Sequence, residues 1–194
     1  KRFGMHMMTG SNNLEPFYFA EITDKLMHIA GTVFGDLKVK PEYIDIGGGF
    51  GIPYKNDEPE IDIDSVAKLV TERFIENCKK YGFGTPVLRL EPGRYITGNA
   101  GMLITKITGN KDSYRNYVGV DAGMNTLLRP ALYDAFHRIE PLVSDGSDTK
   151  KTDVCGRICE NSDIFARGVR LPEMKTGDVL IFRDCGAYGH AMSS

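Results

Sequence analysis

Two spacings of apolar residues divide the chain. Up to about residue 98, short apolar runs alternate with stretches whose apolar residues fall three and four apart, the periods of strand and helix. Phe3–Met8, Tyr43–Ile46 and Val87–Leu90 read as strands. Between the first two, Ile22, Leu26, Ile29, Ala30 and Val33 share a helical face that begins behind Pro16, a residue suited to a first turn, and ends at Gly35. Val66, Leu69, Val70, Phe74 and Cys78 share a second face, with Asp64 as the expected cap and Lys79 and Lys80 before Gly82 at its end.

Each strand runs into a polar motif: Thr9-Gly10-Ser11, then Gly47-Gly48-Gly49, then Glu91-Pro92-Gly93-Arg94. Strand, helix, strand, helix, strand is the order of a parallel βα repeat. In a (β/α)₈ barrel the working residues lie on loops at the C-terminal ends of the strands, where these motifs fall. Three strands are too few to close a barrel. From about Asn99 the texture changes, and Met102–Thr108, Tyr114–Val120, Arg138–Val143, Val154–Cys159 and Asp178–Arg183 read as strands broken by Gly, Asp and Ser turns. Helical spacing returns only over Leu127–Phe136. The expected class is α/β plus β: the C-terminal part of a TIM-like barrel over residues 1–98, then a β-rich, Greek-key or sandwich-like domain over residues 99–194, cut short at its end. No internal repeat or low-complexity tract stands out.

Composition narrows the partners. With 194 residues, 41% of them hydrophobic, the chain can bury a sizeable core. A formal charge of −2 gives no electrostatic reason to expect nucleic acid or an acidic membrane surface. No apolar run approaches the roughly 18 residues that span a bilayer. Small molecules are the expected partners and the cytoplasm the expected location. Cys78, Cys155, Cys159 and Cys185 lack the paired C-x-x-C spacing of a zinc site, so thiols and no metal are expected. The start at Lys1, almost on a strand, and the stop after a Gly-rich turn lead us to expect part of a longer chain.

The glycine run after Tyr43–Ile46 admits two readings. Glycine tolerates positive φ and close approach, so such a loop can press backbone N–H groups against an anion, and it also serves as a plain tight turn. Neither the G-x-G-x-x-G nor the G-x-x-x-x-G-K-[ST] phosphate motif is present.

Taken in order, the motifs carry a family resemblance. His6-x-x-Thr9-Gly10-Ser11, Asp45-Ile46-Gly47-Gly48-Gly49-Phe50-Gly51, Glu91-Pro92-Gly93-Arg94, Arg129-Pro130-Ala131-Leu132-Tyr133, Ile158-Cys159-Glu160 and Gly186-Ala187-Tyr188-Gly189 resemble the fold-type III decarboxylases that use pyridoxal 5′-phosphate. Within that family the pattern is most similar to the branch acting on diaminopimelate, and it covers nearly the whole chain. The resemblance implies a barrel with an added β-domain, pyridoxal phosphate as cofactor, an amino-acid substrate, and a homodimer with shared active sites. The implied activity is decarboxylation of meso-2,6-diaminopimelate to L-lysine. By the same resemblance Glu91 meets the pyridine nitrogen, while Ser11, Gly47, Gly48, Gly49, Pro92, Gly93, Arg94 and the Tyr188 hydroxyl bind the cofactor. Arg94, Arg129, Tyr133 and Tyr188 fall to the substrate, with Glu160 on its distal amine. Cys159 matches the proton donor, and with Glu160 it is implied to reach the partner subunit's cofactor. Cys155 and Cys185 are assigned to packing.

The chemistry asks for such a set. Decarboxylation leaves charge at Cα, which a pyridine ring absorbs best when a carboxylate keeps its nitrogen protonated. Diaminopimelate carries a distal ammonium and a distal carboxylate, which call for an acid and a guanidinium. The carbanion must then be reprotonated by a positioned acid. Two positions depart from the family: no Lys stands in a motif matching its cofactor lysine, which lies on an earlier strand, and Met8 stands where the family usually has a ring-stacking His. The stretch alone is therefore expected to be inactive. Alternative readings are a decarboxylase of the same fold acting on ornithine, lysine or a carboxylated polyamine, and a non-catalytic decarboxylase-like binding or regulatory protein. Arg129 with Glu160 argues against substrates that lack a distal carboxylate.

Overall fold

The alternation at the start of the chain folds as a three-stranded parallel sheet, β1 (Gly4–His6), β2 (Tyr43–Asp45) and β3 (Val87–Arg89), in that order. The computed structural model describes residues 2–143, 146 and 148–194 and divides the chain into two units, Lys1–Pro53 with Asp57–Tyr95 and Tyr54–Asn56 with Ile96–Ser194. The main division falls at Tyr95/Ile96, with Tyr54–Asn56 grouped in the second unit.

In the first unit, helices α1 (Pro16–Leu37) and α2 (Ile63–Tyr81) pack on each other, and with the sheet they form one core. Phe19, Leu26, Met27 and Ala30 of α1 share this core with Ile44 and Ile46, and Val66, Val70, Phe74 and Cys78 are the contribution of α2. Two details correct the sequence reading. The buried stripe of α1 runs through Phe19, Ile22, Leu26, Met27 and Ala30, which leaves Ile29 and Val33 on its exposed flank. Helix α2 is capped by Asp62, whose Oδ1 accepts the Ser65 N–H at 3.0 Å, and Asp64 sits inside the first turn, where its charge suits the helix dipole. Pairing of β1 stops at His6, so the strand is shorter than Phe3–Met8.

The second unit holds a six-stranded sheet of β4 (Leu103–Asp112), β5 (Asn116–Val120), β6 (Ile139–Pro141), β7 (Lys150–Cys155), β8 (Ile164–Leu171) and β9 (Val179–Phe182), in the order β6-β9-β4-β5-β7-β8. Pairs are antiparallel except β5 with β7. The edge strands β6 and β8 touch, so one sheet curls into a nearly closed barrel in place of two facing sheets. Ile107, Val118, Val120, Val154, Leu171, Leu180 and Phe182 fill it, and Phe165 meets Phe182 edge-on at 4.9 Å.

Strand β8 escaped the apolar pattern because Gly168, at φ 66°, and a shift of register against β7 break its alternation. Strand β7 starts earlier than expected because Asp153, a buried charge, interrupts it; Arg115 Nη1 pairs with that carboxylate at 3.1 Å, and the Gly168 N–H donates to it at 2.8 Å. Beyond Cys155 the chain leaves the sheet, so residues 156–159 are turn, not strand. Helix α4 (Arg129–Tyr133) is a single turn, shorter than Leu127–Phe136, ended by Asp134 in the left-handed region at φ 52°. Among the described residues no helix is long and apolar enough to cross a membrane. All four cysteines are free thiols.

One contact pins the glycine run to the first core: Phe50, directly after it, is buried and stacks on Phe19 with centroids 4.3 Å apart and planes 7° from parallel. Phe50→Ala is expected to lower stability by about 3–5 kcal/mol, read by urea unfolding; a loss within experimental error would mean that Phe19 alone holds the loop.

Candidate active site

The parallel register sets the first group of site residues. His6 lies opposite Asp45 and Asp45 opposite Arg89, so the three strands end level. The chain beyond them stays in step: the Met7 N–H donates to Asp45 O, Ile46 N–H to Arg89 O, and Glu91 N–H to Gly47 O at 2.9 Å. Glu91 is thereby set beside the glycine run. A Cβ added at Gly48 would run into the Glu91 carbonyl oxygen, which explains why the middle glycine is needed.

At these strand ends one ligand atom each of His6, Asp45 and Glu91 lies within 4.8 Å of the others, and His6 Nε2 stands 3.3 Å from Glu91 Oε2. Two carboxylates and an imidazole make a pole that favours a cation or a protonated nitrogen. The same donor set could hold a metal ion, which the sequence reading did not expect. Around it, Arg94 Nη2 donates to Ser11 Oγ at 3.0 Å, Gly47 N–H donates to Asp45 Oδ1 at 2.9 Å, and Gly48 N–H donates to Met8 Sδ at 3.2 Å. Ser11, Gly47, Gly48, Gly49, Glu91, Pro92, Gly93 and Arg94, all named from sequence, therefore gather within this unit on the three loops that follow β1, β2 and β3, the last running into α3 (Gly93–Thr97). His6 and Asp45 were not assigned there, and Met8 was noted only as standing at the family's ring-stacking position. The period-two spacing of His6 and Met8 was the available signal.

The second unit sets its candidates on three separate turns. Arg129, at the start of α4, is only 7% exposed; its Nη1 lies 2.8 Å from His137 Nε2, and its guanidinium sits 4.8 Å over the Tyr54 ring. Tyr133, four residues on, is 62% exposed, so the shared helix leads the two side chains into different surroundings. Cys159 and Glu160 are exposed on the turn after β7. That turn hangs on one buried acid: Asp163 accepts the Met124 N–H on Oδ1 at 2.6 Å and the Ile158 N–H on Oδ2 at 2.7 Å. Tyr188 stands at φ 58° on the Gly-rich turn after β9, half exposed. Nearby, burial pushes the Cys185 thiol up to about 11, which suits a packing residue that stays protonated. Burial also raises Cys155. Asp163, Tyr54 and His137 carried no motif, and a lone His or buried Asp gives sequence pattern nothing to grip.

Comparison with known proteins gives the chain a family. Residues 17–186 match the family described as pyridoxal-dependent decarboxylase, C-terminal sheet domain. A curated diaminopimelate decarboxylase of Methanothermobacter thermautotrophicus is 46% identical over 194 residues, covering 98% of this chain and 45% of that protein. Among solved structures, AQ1208 from Aquifex aeolicus superposes with a TM-score of 0.88 at 36% identity over 98% of this chain and 46% of its own. A Helicobacter pylori diaminopimelate decarboxylase complexed with L-lysine gives 0.85 at 34% identity, over 98% of this chain and 45% of that one. The chain thus belongs to the pyridoxal-dependent decarboxylase family. It spans about half the length of the curated relatives it matches.

The anchoring of the Cys159–Glu160 turn is open to test. Asp163→Ala removes a buried carboxylate that accepts two part-buried backbone N–H groups and is expected to cost roughly 2 kcal/mol, measured by urea unfolding, with Asp163→Asn losing less. Equal and negligible losses would show that the turn is held by its own backbone.

Proposed function

We propose that the protein containing this chain decarboxylates meso-2,6-diaminopimelate to L-lysine, as a cytosolic homodimer with pyridoxal phosphate as cofactor. The observation that carries the reading is the strand-end group of Glu91, Ser11, Arg94 and the glycine run. Names of the relatives supply the substrate. We also infer that the three-stranded sheet is the C-terminal part of a (β/α)₈ barrel. Its edge strand β3 leaves Val87 57% exposed, which supports further strands pairing there.

The residues present fit the cofactor. Glu91, in its carboxylate-rich pole, is the residue that would keep a proton on the ring nitrogen. Ser11, Arg94 and the glycine run would hold the phosphate; the Gly48 N–H donates to the Met8 thioether, a weak acceptor, so it would be available to a stronger one. Bound pyridoxal phosphate supplies the electron sink for the charge left at Cα when the carboxylate departs.

Other residues handle substrate and proton. Arg129, with Tyr133 and Tyr188, binds the distal carboxylate, Glu160 binds the distal ammonium, and the Cys159 thiol delivers the proton to Cα. Presentation of Cys159 and Glu160 on an exposed turn is consistent with their reaching a partner subunit's site.

The test compares kcat/KM for diaminopimelate and for lysine as substrates of the full-length enzyme. Lysine decarboxylated at its own α-carbon offers no distal carboxylate. Arg129→Met is expected to cost diaminopimelate on the order of 2–5 kcal/mol of transition-state binding and lysine little, while Glu160→Gln should harm both. A wild-type enzyme that turns over lysine or ornithine as readily as diaminopimelate would replace this reading with that of another decarboxylase of the fold.

A further inference from the structure

The second unit buries a hydrogen-bond chain that no motif announced: Arg129, His137 and the carbonyl of Arg183. A guanidinium stays charged and has donors only. His137 Nε2, at 2.8 Å from Arg129 Nη1, must therefore be the acceptor, which puts the imidazole proton on Nδ1. There it donates to Arg183 O at 2.9 Å. The two bonds thus define one neutral tautomer from both ends.

The ring is held as firmly as its protons. His137 is 2% exposed, so no bulk water can replace either bond. Tyr54 meets the imidazole edge-on, with centroids 5.6 Å apart and planes at 84°, and the same phenol ring lies under the Arg129 guanidinium. Cys185 Sγ packs at 3.6 Å from Nδ1 and remains a neutral thiol. An Arg side chain has several rotatable bonds and substantial rotamer entropy, whereas an Arg gripped on one nitrogen and one face has already lost it before a ligand arrives.

We propose that His137 is the positioning residue that fixes the Arg129 guanidinium in the orientation that receives the distal carboxylate of the substrate. This rests on the reading of Arg129 given above. Decarboxylation of diaminopimelate leaves that carboxylate on the product, so L-lysine carries it, and cadaverine is the same molecule without it. The two amines therefore separate carboxylate recognition from all else in the site.

The experiment is calorimetric titration of the full-length, cofactor-loaded enzyme with L-lysine and with cadaverine, for wild type, Arg129→Met, His137→Asn and His137→Gln, with melting temperatures recorded. Asn places its amide near the Nδ1 position and keeps the Arg183 carbonyl bond alone, while Gln reaches the Nε2 position and keeps an acceptor for Arg129. Arg129→Met should weaken L-lysine about a hundredfold and leave cadaverine unchanged. His137→Asn should weaken L-lysine about tenfold or more, again sparing cadaverine, and His137→Gln should stay within about threefold of wild type. Unchanged L-lysine affinity in His137→Asn, with Arg129→Met still impaired, overturns the role of His137. Unchanged affinity in Arg129→Met overturns the reading of Arg129 and the proposal with it. Equal loss of L-lysine and cadaverine in the His137 variants, with a lowered melting temperature, assigns His137 to packing and also overturns the proposal.

Discussion

The level parallel register of β1, β2 and β3 is the constraint on which the first site depends. Because side chains alternate along a strand, pairing His6 with Asp45 and Asp45 with Arg89 decides which side chains meet at the sheet's C-terminal end. A slip of one residue at β2 would turn Asp45 to the opposite face and expose Ile44, which is wholly buried. The apolar core and the polar strand ends thus enforce the same register. Backbone hydrogen bonds then carry that register past the strands, so that Glu91 lies against the glycine run and Phe50 locks the run to α1.

The second unit solves a different problem, since its functional candidates lie on turns. A curled sheet with a filled apolar interior supplies the rigid frame, and single buried polar residues fasten each turn to it. Asp163 joins the Cys159–Glu160 turn to the segment at Met124 by accepting one backbone N–H from each, Ile158 and Met124, and His137 ties Arg129 to the carbonyl of Arg183. A buried acceptor that loses its partners costs more than an exposed one gains, so such residues hold geometry firmly.

The parts of this that sequence could show are those written in periodicity. Strand, helix, strand, helix, strand and the polar motifs after each strand were readable because apolar spacing and glycine report local backbone states. The helix cap moved from Asp64 to Asp62 because two acids two apart offer the same chemistry, and the choice falls to whichever faces the Ser65 N–H. Strand β8 was missed because Gly168 breaks its alternation, and the start of β7 was placed too late because a buried Asp153, satisfied by Arg115, looks like a solvated charge in one dimension. The pairing of Arg129 with His137 was beyond reach for a related reason: Asp134 ends α4 in the left-handed region, and the chain turns back to bring a residue eight positions on against the guanidinium. Contacts made by such reversals leave no period to read.

If the carboxylate at the end of β3 keeps a proton on the cofactor ring, as proposed, Glu91→Gln in the full-length enzyme removes that charge while the amide keeps the shape. Absorbance titration with pyridoxal phosphate should find affinity within about tenfold of wild type, while carbon dioxide release from diaminopimelate falls by about a hundredfold or more. Turnover at the wild-type rate with cofactor bound would contradict the account.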